Sequence, residues 1–174
     1  MKKLLLALLL AVAVTGCERE KPAPIAVPQQ TPINAENEIR LLKGVLGQDP
    51  ANLPALIKLG NIMMDTGRFN EAIDAYGKAL AIDPKNVDVR VDMGTCYRNT
   101  GRPDKAVEEF RKALSINPNH LYAHKNLGVT LAYNLGDRAG AIKELEEYLR
   151  LSPNAPDAFQ TKGAIEELKK MTPK

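Results

Sequence analysis

A period of 34 or 35 residues runs through the chain from residue 50 onward, and it limits the folds that the chain can adopt. Four kinds of residue keep this spacing. They are the prolines Pro50, Pro84, Pro118 and Pro153, the glycines Gly60, Gly94, Gly128 and Gly163, the alanines Ala72, Ala106 and Ala141, and the later glycines Gly67, Gly101 and Gly136. A repeat of this length is typical of a solenoid, in which each unit buries its apolar faces only against its neighbours.

Within each repeat the apolar residues recur at intervals of three or four. Ile73, Tyr76 and Leu80 show this spacing, which predicts an amphipathic helix. Gly67 suits the left-handed residue that ends the first helix of a repeat, and Pro84 stops the second helix. Each repeat is therefore predicted to be a pair of helices.

The glycine at position 60 and its equivalents are predicted to lie inside the first helix of each pair. A glycine there costs about 1 kcal/mol relative to alanine, so its recurrence indicates a close approach by the neighbouring helix. We expect Ala72 and the equivalent alanines to be the small residues that face these glycines.

The repeated residues resemble the pattern of the tetratricopeptide repeat family, in which a large residue, Leu-Gly, Tyr, Ala, Phe and Pro follow at fixed intervals. The three copies are Leu56, Leu59, Gly60, Met63, Ala72, Tyr76 and Pro84; Arg90, Met93, Gly94, Tyr97, Ala106, Phe110 and Pro118; and His124, Leu127, Gly128, Leu131, Ala141, Leu145 and Pro153. The resemblance implies an all-α fold, a right-handed superhelix of antiparallel helix pairs with about eight helices. One extra residue between Val129 and Leu135 leaves the placement of Tyr133 open by one position.

The repeat boundaries divide this part of the chain into five segments. Complete repeats are predicted at residues 53–86, 87–120 and 121–155. Residues 33–52 read as a single helix of an incomplete earlier repeat, and residues 156–174 as a C-terminal capping helix with a polar outer face, as terminal repeats require.

The first 16 residues have the layout of a secretory signal, with Lys2 and Lys3 before an apolar run from Leu4 to Val14. A run of this length is too short to span a bilayer, which needs about 20 residues. The stretch from Val14 to Cys17 resembles the lipobox of bacterial lipoproteins, which implies lipid attachment at Cys17. The alternative is an ordinary signal peptide that happens to contain a cysteine.

Residues 17–32 hold four prolines, which disfavour a helix and predict an extended tether between the lipid and the repeats. A disordered tail without a spacing role is the alternative.

Composition argues against most catalytic and nucleic-acid-binding classes. The net charge is +3, with only two cysteines and two histidines, so we expect no nucleic-acid partner, no metal, no cofactor and no catalytic residue. We interpret Cys96 as a core residue. His120, at a helix start, and His124 are expected at the surface, and the pair Glu108 and Glu109 on an outward face.

The family resemblance implies that the first helices line a concave groove for a protein or peptide partner. Carried over by position, the groove residues are Asn61, Met64, Asp65, Asp88, Val91, Thr95, Arg98, Asn99, Tyr122, Lys125, Val129 and Tyr133. The expected function is a membrane-anchored adaptor that faces the periplasm of a bacterial cell envelope and acts as an assembly scaffold, without a small-molecule substrate.

Three assignments of this adaptor compete with one another, and an enzyme is the rival from another class. They are a general scaffold, a pilotin-like lipoprotein for pilus or secretin assembly, and a chaperone for c-type cytochrome maturation. Glu18 follows Cys17 in place of the Asp that signals retention in the inner membrane of some bacteria, which favours the outer membrane.

Overall fold

The structure, a computed structural model, describes residues 32–171, with side chains from residue 35 onward. Its helices are α1 (Pro32–Gln48), α2 (Leu53–Asp65), α3 (Phe69–Ile82), α4 (Val87–Asn99), α5 (Pro103–Ile116), α6 (Leu121–Thr130), α7 (Arg138–Leu151) and α8 (Ala158–Met171). A π-helical turn, Leu131–Leu135, continues α6. Within this range every regular element is helical, and the expectation of about eight helices in an all-α repeat fold is confirmed.

Several sequence predictions lie outside the described residues. These are the signal segment 1–16, the lipid site Cys17, the tether as far as residue 31, and the last three residues. Among residues 32–171, no helix combines the length and the apolar character needed to cross a membrane.

The first helices of the three pairs begin in the same way. The side chains of Asn52, Asn86 and His120 accept a hydrogen bond from the backbone N–H three residues later, at 3.1, 3.2 and 3.1 Å. Such caps satisfy an amide that has no partner inside the helix. The prediction that His120 stands at a helix start is confirmed.

The turn between the helices of each pair depends on a glycine. Gly67, Gly101 and Gly136 have φ values of 74°, 72° and 70°, a left-handed conformation that glycine adopts without steric cost. These are the glycines that the sequence predicted at the ends of the first helices.

The two helices of a pair meet where a large side chain of the second helix lies on a glycine of the first. A Cβ atom added to Gly94 would lie 2.6 Å from Cε1 of Phe110, and one added to Gly128 would lie 2.8 Å from Cγ of Leu145. The ring of Tyr76 covers Gly60 in the same way. The expected alanine contact is seen at Gly128, where a Cβ atom would lie 3.3 Å from the carbonyl oxygen of Ala141, but at Gly60 and Gly94 the nearest atoms belong to the ring that stands one helical turn after the alanine.

A second contact between the two helices of a pair is called the cross-helix pair. Its first member is the residue four positions before the glycine of the first helix, and its second member is the residue of the second helix nine positions before the following proline. Arg90 Nη1 donates to Glu109 Oε2 at 2.6 Å, and His124 Nδ1 lies 2.7 Å from Glu144 Oε2. In the first unit the same two positions hold Leu56 and Ala75, both buried in one core cluster.

The cross-helix pairs correct two surface assignments. Glu109 and His124 are buried, whereas the sequence placed both at the surface. Each is held by its partner and by a further contact, from Lys112 Nζ to Glu109 at 2.9 Å and between His124 Nε2 and the carbonyl oxygen of Pro118 at 2.8 Å. Burial is possible because each polar group meets a polar partner.

Glu109→Ala is expected to lower the free energy of unfolding by about 3 kcal/mol, because it leaves a buried guanidinium without its carboxylate. The side chain of Arg90 is only 13% exposed, and its Nε already lacks a partner. The double variant Arg90→Leu with Glu109→Ala copies the pair of the first unit and should recover most of the loss. Urea denaturation measures both, and a double variant as unstable as the single one would contradict this account.

Candidate protein-binding groove

The first helices α2, α4 and α6 line a groove of about 440 Å³. Its lining residues are Met64, Asp88, Val91, Asp92, Thr95, His120, Tyr122 and Asn126. Five of them were predicted from the sequence, namely Met64, Asp88, Val91, Thr95 and Tyr122. The repeat brings them together because residues one period apart occupy equivalent places on successive first helices.

Hydrogen bonds between successive units fix the spacing of the groove. Asn126 Nδ2 donates to Thr95 Oγ1 at 3.3 Å, which joins α6 to α4. The ring of His120, which caps α6, lies with Nε2 2.9 Å from Asp88 Oδ1. The walls of the groove are therefore tied to each other as well as to the second helices behind them.

Asp92 is the groove residue of greatest chemical interest that the sequence analysis missed. It lies one helical turn after Asp88 on α4, and this spacing was the available signal. Burial raises the pKa of Asp92 to about 6, and the carboxylates of Asp88 and Asp65 add to the rise while His120 opposes it. Its carboxylate has no hydrogen bond or ion pair with the described part of the chain.

Charged side chains of both signs lie in or beside the groove. The carboxylates of Asp88 and Asp65 both act on Asp92. Further along α4 lies Arg98, which is partly buried and has no ion pair among residues 35–171. Burial lowers the pKa of Arg98, because the charged guanidinium loses water without gaining a partner.

Other predicted groove residues are engaged within the fold. Asn61 accepts a hydrogen bond from the Tyr76 hydroxyl at 2.8 Å. Lys125 Nζ lies 2.7 Å from Asp157 Oδ2 and 5.6 Å from the centre of the Tyr148 ring. Val129 packs at the edge of the second core cluster. These contacts hold the groove wall together and leave less of each side chain for a partner.

The remaining predicted residues are open to solvent. Tyr122 is 60% and Tyr133 69% exposed, and Asp65 and Asn99 lie exposed at the C-terminal ends of α2 and α4. Tyr133 lies on the π-helical turn, which accommodates the extra residue of the third repeat, since a π turn takes one residue more than an α turn.

A larger cavity of about 590 Å³ lies between α5 and the π-helical turn. Among its lining residues, Glu108 and Lys112 already form an ion pair with each other at 2.6 Å. The groove, in contrast, contains the carboxylate of Asp92, which has no ion pair within the described part of the chain. Within the described residues, no group of three or more His, Cys, Asp or Glu side chains is arranged to hold a metal ion.

Cys96 lies behind the groove, and its interpretation as a core residue is confirmed. It is fully buried, and burial raises the pKa of its thiol to about 12. The thiol therefore stays protonated at neutral pH, which is the unreactive form.

Comparison with known proteins identifies the repeat. The sequence model of the tetratricopeptide repeat matches residues 63–127 and again residues 100–165, which together cover more than half of the chain. No curated protein matches the chain by sequence.

Solved structures resemble the chain over most of its length. A crystal structure of MamA protein is 27% identical and superposes with a TM-score of 0.73, covering 79% of this chain and 75% of the other. The first tetratricopeptide repeat domain of Spaghetti, bound to the HSP90 peptide SRMEEVD, is 24% identical with a TM-score of 0.63 and coverages of 68% and 90%. The corresponding domain of Arabidopsis OM64 is 18% identical with a TM-score of 0.64 and coverages of 69% and 96%.

Asp92→Asn is expected to raise the melting temperature by a few degrees at pH 7.5 and by almost nothing at pH 4. Folding raises the pKa of Asp92 to about 6, so the folded chain binds the proton more tightly than the unfolded chain. The stability that comes from this residue is therefore present at low pH and is lost as the pH rises through 6. Asparagine is neutral at both pH values.

Thermal unfolding followed by circular dichroism at the two pH values measures the effect. Asp74→Asn, at an exposed aspartate of α3, is the matched control and should show no such difference. A gain of equal size at both pH values would contradict the burial argument.

Proposed function

Because this chain belongs to the tetratricopeptide repeat family, whose members are in general noncatalytic scaffolds for protein interaction, we propose that it is an adaptor that binds a segment of another protein in the groove of α2, α4 and α6. One observation carries the proposal. Three successive first helices present exposed Tyr122 beside the partly buried, unpaired carboxylate of Asp92. A charge of this kind is stabilised when a partner supplies the opposite one.

The charges of the groove define the partner segment. A lysine or arginine side chain fits opposite Asp65, Asp88 and Asp92, and Met64 and Tyr122 offer apolar contact beside it, whereas Val91 is buried in the core behind them. A carboxylate of the same segment fits the unpaired Arg98.

The carboxylates in and beside the groove also separate it from one related domain of known ligand. The domain of Spaghetti is bound to a peptide of sequence SRMEEVD, in which acidic residues outnumber basic ones. Carboxylates at the end of α2 and the start of α4 would repel such a segment, so we propose a partner segment of the opposite charge.

The adaptor is further proposed to be tied to a membrane. Val14 to Cys17 resembles a lipobox, and two or more acyl chains on Cys17 would give stable attachment. The prolines of residues 17–32 would hold the repeats away from the lipid surface. This supports a lipid-anchored protein of the bacterial cell envelope that faces the periplasm, with the outer membrane favoured, and a role as an assembly scaffold there.

A photoreactive amino acid in place of Tyr122 is expected to form a discrete adduct with a partner protein in living cells. The same probe in place of Lys78, which is exposed on the second helix α3, should not form that adduct. Adding Asp92→Lys to the Tyr122 probe should lower the adduct at least tenfold, because it reverses the charge that a basic segment would meet.

Asp74→Lys is the matched control, since it makes the same charge change on α3. Gel electrophoresis and mass spectrometry of the adducts measure the outcome, and melting curves confirm that the variants fold. Adducts that are the same at both probe sites, or that survive Asp92→Lys unchanged, would contradict binding in the groove.

Cys17→Ala is expected to move the protein from the membrane pellet to the soluble fraction after cell lysis, because the attachment atom for the lipid is lost. Cys96→Ala removes the other cysteine, which is buried, and should leave the distribution unchanged. Immunoblots of the two fractions measure this, and continued pelleting of the Cys17→Ala protein would overturn the lipid anchor while leaving the groove proposal intact.

A further inference from the structure

The two terminal helices of the described region are halves of a repeat. In sequence register, α8 corresponds to the first helices α2, α4 and α6, because Gly163 continues the series of Gly60. Helix α1 corresponds to the second helices, because it precedes Pro50 as α3 precedes Pro84. Within the described region, α1 is therefore the second helix of a repeat without its first helix, and α8 is the first helix of a repeat without its second helix.

The side chains left open at these two ends are the most exposed large apolar ones in the described part of the chain. Phe159 on α8 is 85% exposed, and Leu41 on α1 is 70% exposed. Exposure of this kind at both ends of a stack indicates surfaces that a partner can cover.

Phe159 and Leu41 occupy the two positions of the cross-helix pair. Phe159 stands four residues before Gly163, as Arg90 stands four before Gly94. Leu41 stands nine residues before Pro50, as Glu109 stands nine before Pro118.

Inside the molecule the two members of each cross-helix pair match in chemistry. Leu56 and Ala75 are both buried in the first core cluster, Arg90 meets Glu109 at 2.6 Å, and His124 meets Glu144 at 2.7 Å. At the two open ends, these positions hold Phe159 and Leu41. They match each other and, within residues 35–171, have no such counterpart.

The glycine contact is also incomplete at α8. A Cβ added to Gly163 would meet nothing within 4 Å, whereas the equivalent glycines Gly60 and Gly94 are covered by Tyr76 and Phe110. The residue of α1 in register with Tyr76 is Leu42, eight residues before its proline. Leucine fits such a glycine, as Leu145 does at Gly128.

We propose that α8 of one chain packs against α1 of a second copy, so that the two half-repeats complete one tetratricopeptide unit between molecules. Phe159 then meets Leu41, and Leu42 covers Gly163. The contact joins different faces of the two copies, so it extends head to tail and does not close at a dimer.

Charged residues at the two ends limit the strength of this contact. Glu38 of α1 stands where the internal units have Ala72 and its equivalents, but its carboxylate pairs with Lys58 on α2. Lys162 of α8 stands where the first unit has Leu59. An interface of one helix pair with fewer apolar contacts than the internal ones is expected to be reversible and dependent on concentration.

The proposal goes beyond the groove function and does not rest on it, because Phe159, Leu41 and Gly163 are not groove residues. Sedimentation velocity of the purified full chain, in one mild detergent over a hundredfold range of concentration, tests it. The average mass is expected to rise steadily with concentration. Phe159→Arg and Leu41→Glu should each lower the association constant at least tenfold.

Mixing the Phe159→Arg and Leu41→Glu proteins is expected to restore association. In the mixture, the arginine on α8 of the Phe159→Arg protein can pair with the glutamate on α1 of the Leu41→Glu protein, as Arg90 pairs with Glu109. The unaltered Phe159 of the second protein can pack against the unaltered Leu41 of the first. Tyr133→Arg changes an equally exposed aromatic residue away from both ends and should have no effect.

Three outcomes would overturn the proposal. They are a chain that stays monomeric at every concentration, association that both end variants leave unchanged, and association that is lost in Tyr133→Arg instead, which would place the contact at the π-helical turn. Circular dichroism melting of each variant confirms that a lost association is not a lost fold.

Discussion

The fit of one large side chain against one glycine is the contact on which the rest of the structure depends. Phe110 on Gly94 and Leu145 on Gly128 bring the two helices of a pair so close that a single methyl group would overlap the neighbour. Because each internal pair uses the same contact, the helix pairs have similar geometry and can stack regularly. The regular stack places α2, α4 and α6 side by side, and the groove is the surface that they share.

Around this constant contact the units differ in chemistry. The cross-helix pair is apolar in the first unit and charged in the second, where Arg90 and Glu109 are buried together. A buried arginine set against the alanine of another unit would lose its carboxylate, which is costly. The pairs therefore favour the native order of helices, and the same matching underlies the proposed contact between α8 and α1.

Much of the fold could be predicted from the sequence because its determinants are local. The left-handed glycines, the cap at His120 and the prolines after the second helices act within a few residues, and the period of the repeat then gives the stacking. The groove could be predicted in part from the family resemblance. Met64, Asp88, Val91, Thr95 and Tyr122 were carried over by their position in the repeat, and all five lie in the groove lining.

The residues whose environment the sequence did not predict have one thing in common. Their burial depends on how closely and at what angle neighbouring helices pack. Asp92 follows Asp88 by one turn, but its raised pKa results first from burial and then from the carboxylates of Asp88 and of Asp65, the latter on another helix. Glu109 and His124 have the polarity of surface residues, and only their partners across the helix pair make their burial possible.

By itself the sequence determined the helical repeat, its length, the turns within it and the family to which it belongs, because these follow from spacing and from backbone preferences near each residue. Only the tertiary structure decided which side chain covers each glycine, which charges are buried, and which ones are left unpaired in the groove. Those outcomes depend on distances between residues that are 15 or more positions apart, such as Tyr76 and Asn61. Packing sets these distances, and spacing along the chain does not reveal them.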